Sequence, residues 1–405
     1  MSIRLKAPLA ATGVAALATL ILTGCVPNQT GSGALAVTID DSSCSVAANT
    51  ASAGAVAFQL TNKGTDVNEF EILAEDKLRI VGEKENVTPG QSVSYVAQLG
   101  PGTYYTACKF RQVGDHIGLA EFTVTGEATA VSSDTQALRD AAVTNYIAYV
   151  KSQAGALVPA AQEFAQAYAA GDDAKARELF AKTRAYYERI EPTAEAFGDL
   201  DPEIDYREVD ALAEGLDWTG FHRMEKDLWP PAPDGLNSDG TPAWQNWQPS
   251  TPAERQRFAD QLVQNVQQLY DLVYSSDFAV TLGDISNGAI GLLDEVAKAK
   301  VTGEEDWWSH TDLSDFAANV QGAEVAYGNV RDLALAAGDK GTALADRIDK
   351  EFAALDQLLA QYGSIDSGFV SYDTLSDAQR KELSDQVNAL AEPLSELTNT
   401  VLGVS

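Results

Sequence analysis

The chain has 405 residues, a hydrophobic share of 45% and a formal net charge of -31. That share supports folded cores rather than disorder, and the length allows two or three domains. So acidic a chain repels nucleic acid and anionic lipid and attracts cations, so no nucleic-acid partner is expected.

Arg4 and Lys6 precede an apolar run from Ala7 to Leu22, too short for an ordinary membrane span. The run ends in Leu22-Thr23-Gly24-Cys25, a lipobox pattern in which the cysteine is lipidated and becomes the first mature residue. Residues 1–24 therefore read as a lipoprotein signal peptide, Cys25 as the lipidation site and residues 25–33 as a polar tether. Removing the leader takes away two positive charges, leaving -31 - 2 = -33. No later stretch is long and apolar enough to span. The expectation is an exported protein held by lipid on the outer side of a bacterial cytoplasmic membrane, in the periplasm or at the cell surface.

From Ala34 apolar and polar residues alternate with period two, as in ALAVTID, AVAFQLT, EFEILA, SVSYVAQL and GLAEFTVTG. Turn formers such as Asn62-Lys63-Gly64, Pro89-Gly90 and Pro101-Gly102 separate several of these runs, which predicts a β-sandwich over residues 34–127. Besides the lipidated Cys25 only Cys44 and Cys108 remain, and in an oxidising compartment such a pair most often forms one disulfide.

Near Ala130 the period changes to that of a helix, with Leu138, Ala142, Tyr146 and Tyr149 on one stripe. Residues 128–405 read as helices throughout. AKARELFAKTRAYYERI predicts one, and YREVDALAEGLDWTGFHRMEKDL a second, stopped by Pro230-Pro231. Thr251 with Glu254 and Ser376 with Gln379 read as capping boxes. Mostly short links between Ala-rich helices fit an antiparallel bundle, with one long loop from Pro231 to Ser250.

The chemistry gathers in this second half. His222, one of three histidines, is followed three residues later by Glu225, which puts an imidazole and a carboxylate on one helix face. Glu188 and Glu191 repeat that spacing on the preceding helical segment, and FGDLDPEID between them carries more carboxylates, including Asp205. Carboxylate oxygens with one imidazole suit iron, manganese or zinc rather than Cu(I). Asp205 could instead cap a helix start, and a solvated helix face is the bland alternative for the acidic pair.

YYERIEPTAEAFGDLDPEID, WTGFHRMEKDLW, LLDEVAKAKVTGEEDWWSHTDLSDFAANV and VSYDTLS together resemble the imelysin-like domain, and the whole chain resembles EfeO-type iron-uptake lipoproteins. The resemblance implies a multidomain chain, an N-terminal cupredoxin-like β-sandwich followed by an all-α imelysin-like helical bundle. It implies metal ligands at His222, Glu225, Glu188, Glu191, Asp205, Glu304 and Glu305. It also implies iron, Fe(II) or Fe(III), as cargo, a membrane iron permease as recipient and a haem-containing, dye-decolourising-type peroxidase as partner. In the small domain it implies a second metal site at Cys44, Glu69, Cys108 and His116, in competition with a Cys44–Cys108 disulfide. Thr106 stands where some relatives carry Met, and with His116 the single histidine available there, copper is disfavoured. Two enzyme readings stand beside the binding protein. One is a metal-dependent peptidase, since imelysin-like proteins were classed as such and a zinc ion could activate water; the other is a copper-assisted ferroxidase.

Overall fold

The computed structural model describes residues 33–73, 75, 80–110, 116–127, 133–298 and 300–404. The leader, Cys25 and residues 26–32 of the tether lie outside the described residues.

The alternating runs form β1 (Leu35–Ile39), β2 (Cys44–Val46), β3 (Thr50–Ser52), β4 (Gly54–Asn62), β5 (Asn68–Leu73), β6 (Ile80–Val87), β7 (Ser92–Leu99), β8 (Gly102–Phe110) and β9 (Ile117–Thr125). They build two sheets, ordered β2-β1-β4-β7 and β3-β9-β8-β5-β6. Period-two alternation sends Phe58, Leu60, Phe70 and Phe122 between the sheets, where all four are buried. Their rings pack at 5.2 Å (Phe58 to Phe70) and 5.9 Å (Phe58 to Phe122) between centroids. Cys44 of β2 is bonded to Cys108 of β8, with Cα atoms 5.7 Å apart, so the link joins the two sheets.

The second half runs α1 (Ser133–Ala170), α2 (Asp173–Glu188), α3 (Leu200–Asp205), α4 (Glu208–Glu214), α5 (Gly220–Leu228), α6 (Pro252–Tyr274), α7 (Leu282–Lys298), α8 (Asp312–Ala336), α9 (Asp339–Leu359), α10 (Asp377–Leu394) and α11 (Leu397–Leu402). Tyr146, Val150, Leu157, Ala161, Phe164 and Tyr168 of α1 recur at helical spacing and are buried. Both capping boxes form, each with its reciprocal pair of hydrogen bonds. A small hairpin, Gly363–Ser364 with Gly368–Phe369, interrupts the helical half, which is therefore mostly rather than wholly α.

Two expected helices break. The run 206–228 divides into α4 and α5, because Gly215 caps α4 in the left-handed conformation and Gly220 restarts the chain at φ 76°. Gly220 also permits close approach: a Cβ there would stand 2.1 Å from the carbonyl oxygen of Ile204. The start of α5 thus presses on the end of α3. Helix α2 stops at Glu188, and Glu191 opens a separate 3-10 turn ahead of Pro192. Asp205 is the last residue of α3, not a helix N-cap.

The sandwich docks on α7. Lys84 of β6 pairs with Asp294 at 2.9 Å, and Asn287 Nδ2 donates to Val96 O at 2.7 Å. Beside this contact a cavity of about 550 Å³ opens between the sheet and the helices.

Candidate metal centre

Three pieces of chain converge on His222: the C-terminal end of α3, the first turn of α5, and the loop before α8. Their meeting follows from the glycine contact just described, which sets Asp205 beside His222. The imidazole is 2% exposed. Its Nε2 lies 3.7 Å from Asp205 Oδ1 and 3.5 Å from Glu305 Oε1, and it has no hydrogen-bond partner. Its Nδ1 lies 3.1 Å from Glu225 Oε2 and 3.9 Å from Asp306 Oδ1. Two donor sets therefore share this ring, Asp205–His222–Glu305 on one side and His222–Glu225–Asp306 on the other.

The first set meets solvent. Asp205 and Glu305 line the large cavity, whose rim adds Glu83, Asp199, Asp201 and Glu295. His222, Glu225 and Glu305 also border a second opening of only about 20 Å³, walled by Trp218, Trp307 and Trp308. That is room for about one water molecule.

Buried cations hold the carboxylates together. Arg184 is fully buried, one helical turn before Glu188. Its guanidinium reaches Glu188 at 2.5 Å, Asp315 at 3.0 Å, Glu305 at 3.4 Å and Asp306 at 3.6 Å, and also pairs with Asp205. Lys300 Nζ sits 3.2 Å from Glu188, 2.8 Å from Glu191 and 3.9 Å from Glu305. Asn319 Nδ2 donates to Glu188 at 2.9 Å and to Glu191 at 2.6 Å.

Burial without full neutralisation shifts these groups. Burial and the charge of Arg184 oppose a protonated His222, yet the carboxylates of Glu225, Glu305 and Asp205 beside the ring outweigh them, and its pKa rises to about 10. Burial pushes Asp306 up to about 7, with Glu225 adding to the rise and Arg184 opposing it. Burial also raises Asp205, against Arg184, and lifts Asp312 and Asp315 well above the usual carboxylate range. Glu305 goes the other way: despite burial, Lys300 and His222 hold it well below that range.

Of the expected ligands, His222, Glu225, Asp205 and Glu305 come together. Glu188 and Glu191 face Lys300 and Asn319 instead. Glu304 turns away to Arg207, 2.9 Å distant. Sequence reasoning missed Asp306, next in the chain to Glu305, and Arg184, whose i, i+4 relation to Glu188 was a readable signal. Lys300 and Asn319 carried none, since only the fold brings them to the acidic pair.

In the sandwich, Cys108 stands opposite Phe70, and Glu69 stands one register step away opposite Lys109. Successive strand residues point to opposite faces, so Cys108 enters the core while Glu69 leaves it. His116 Nε2 lies 2.6 Å from Glu71 Oε2, and Lys109 Nζ lies 3.2 Å from Glu71 Oε1. The set Cys44, Glu69, Cys108 and His116 is therefore not gathered as four donors, and Cys44 and Cys108 are bonded to each other. Among the described residues no helix is long and apolar enough to cross a membrane.

Comparison with known proteins follows the same division. The imelysin family profile matches residues 142–397, and a cupredoxin-like domain profile matches residues 13–117. The chain is 38% identical over 372 residues to "Iron uptake system component EfeO" of Escherichia coli O1:K1, covering 91% of each chain. The proteins of that name from Escherichia coli K12 and Shigella flexneri match with the same identity and coverage.

Proposed function

We propose that this chain, which belongs to the family of EfeO-type iron-uptake components built from a cupredoxin-like and an imelysin domain, binds iron at His222 and hands it to a membrane permease. The relatives' role in iron uptake supports the process. The site residues are this chain's own. Asp205, His222 and Glu305 take Fe(II) or Fe(III), with Glu225 against the imidazole, and Arg184 and Lys300 as internal counter-ions. Glu188 and Glu191 form the cage of Lys300. Lipidation at Cys25 holds the protein outside the cytoplasmic membrane, beside the permease and a haem-containing peroxidase.

One observation carries this reading most: a buried imidazole nitrogen, without a hydrogen-bond partner, between two carboxylates that line an acidic cavity. Buried polar atoms are normally paired, so such an atom points to an absent partner. The separations of 3.7 Å and 3.5 Å are a few tenths of an ångström wider than the roughly 3 to 3.4 Å between donors held at about 2.1 Å from one metal, so a small inward shift would close them on an ion. Zinc fits the same donors. Copper chemistry in the sandwich draws no support from sulfurs that are bonded to each other.

Titration calorimetry with Fe(II) under anaerobic conditions tests the proposal. His222→Ala should weaken binding at least tenfold, about 1.4 kcal/mol. The far-UV circular dichroism should stay unchanged. Parent-like affinity in this variant would place the iron elsewhere.

A further inference from the structure

His222 and Glu225 invite the reading that both residues of the His-x-x-Glu pair coordinate the metal. The hydrogen bonds around Glu225 say otherwise. Its Oε1 accepts two backbone N–H groups, from Trp308 at 3.0 Å and from Ser309 at 2.7 Å. Its Oε2 lies 3.1 Å from Nδ1 of His222. The side chain is 1% exposed, and both oxygens are engaged. A carboxylate fixed in this way, facing one ring nitrogen, is the arrangement that sets the tautomer of a metal-binding histidine. With the proton on Nδ1, the lone pair lies on Nε2, the ring nitrogen without a partner.

We propose that Glu225 is a positioning residue, which accepts the Nδ1 proton of His222 and so presents Nε2 to the metal between Asp205 and Glu305. This rests on the metal-centre reading above. Access agrees with it. Asp205 and Glu305, the carboxylates facing Nε2, line the 550 Å³ cavity, whereas Glu225, facing Nδ1, lines only the 20 Å³ slot, which His222 and Glu305 also border. The wide cavity thus reaches the two carboxylates that face Nε2, and the slot is too small for an aquated ion. The two faces of one imidazole thus have separate tasks. The ligands come from α3 and from the loop before α8, the orienting carboxylate from the same helix as the histidine.

Only three histidines are present, so protein labelled with ¹⁵N at histidine gives a readable ring spectrum. The His222→Ala variant assigns the His222 signals, and Zn(II) serves as the diamagnetic probe. On loading the parent protein, Nε2 of His222 should take the metal-bound shift while Nδ1 keeps its proton. A metal-bound Nδ1 would overturn the inference and leave the metal centre standing. No change at either nitrogen would overturn both. A second measurement separates a positioning role from a ligand. Glu225→Gln sets an amide N–H against the backbone N–H donors or against Nδ1, and should weaken Zn(II) binding about 10- to 100-fold. The X-ray absorption spectrum of the Zn(II)-loaded variant should nevertheless match the parent, whereas Glu305→Gln should change it. A changed spectrum in Glu225→Gln, with a ligand lost, would sink the proposal.

Discussion

The buried Lys300 pairs with the partly buried Glu191, the ammonium 2.8 Å from the carboxylate, at one edge of the acidic cluster. The same ammonium lies 3.2 Å from Glu188, so one cation serves two carboxylates. Removing one member of a buried pair strands the other charge and costs about 3–5 kcal/mol. Lys300→Met should therefore lower the melting temperature of metal-free protein sharply. Glu188 keeps Arg184, and Asn319 still donates to both carboxylates, but their shared cation is gone, so Zn(II) should raise the melting temperature of the variant more than that of the parent. Calorimetric melting with and without Zn(II) measures both effects. An equal metal-induced shift in the two proteins would show that Glu188 and Glu191 play no counter-ion role.

Gly220 sets the distance between α3 and α5. Its φ of 76° suits glycine, and a Cβ would meet the Ile204 carbonyl oxygen at 2.1 Å, where backbone has little room to give. Gly220→Ala should destabilise the fold by about 1–3 kcal/mol. The strain falls between Asp205 and His222, whose 3.7 Å approach would lengthen. Metal affinity should fall along with stability. The control is Gly215→Ala: its φ is also positive, but no atom lies within 4 Å of the added Cβ, so it should lose stability and keep affinity.

Much of this was legible in the chain. Period-two runs such as AVAFQLT and SVSYVAQL became β4 and β7, because one face of each strand had to enter the core. The His222–Glu225 pair was legible because its geometry lies within one helix. The helix breaks were harder. Gly215 and Gly220 sit inside an otherwise helical pattern, and such glycines are often tolerated. The joint roles of Arg184, Lys300 and Asn319 were not legible, since a cation's acidic partners lie 100 residues away or more in several cases, as with Lys300 and Glu188. In the sandwich, the alternation that predicted β5 and β8 also puts Glu69 and Cys108 on opposite faces, once their register is known.

The Cys44–Cys108 link spans 64 residues and ties β2 to β8. A cross-link of that span contributes about 2–4 kcal/mol, mainly by restricting the unfolded chain. Mass spectrometry of non-reduced protein should find the two cysteines joined. The Cys44→Ser/Cys108→Ser double variant should unfold at lower urea concentration, with iron binding at His222 unaltered. Free thiols in the purified protein would instead favour a metal at the cysteines.

Protonation of His222 should make metal-free and metal-loaded protein respond to pH in opposite directions. In metal-free protein the pKa of this group is raised from its ordinary 6.5 to about 10. A group raised on folding contributes stability that is fully present below its unfolded value and is lost as pH rises through the folded one. Metal-free protein should therefore lose the His222 contribution progressively between about pH 6.5 and pH 10. Metal binding needs Nε2 without its proton, so each ion bound should release about one proton in that interval, and affinity should rise with pH. Below about pH 7 protonation of Asp306 removes a further negative charge near the ring, so affinity should fall more steeply there. Zn(II) titrations in buffers of different ionisation enthalpy, at pH 6 and pH 8, count the released protons. Finding no proton release at pH 8 would mean that His222 is already neutral in metal-free protein, and that its carboxylate neighbours do not hold the imidazolium.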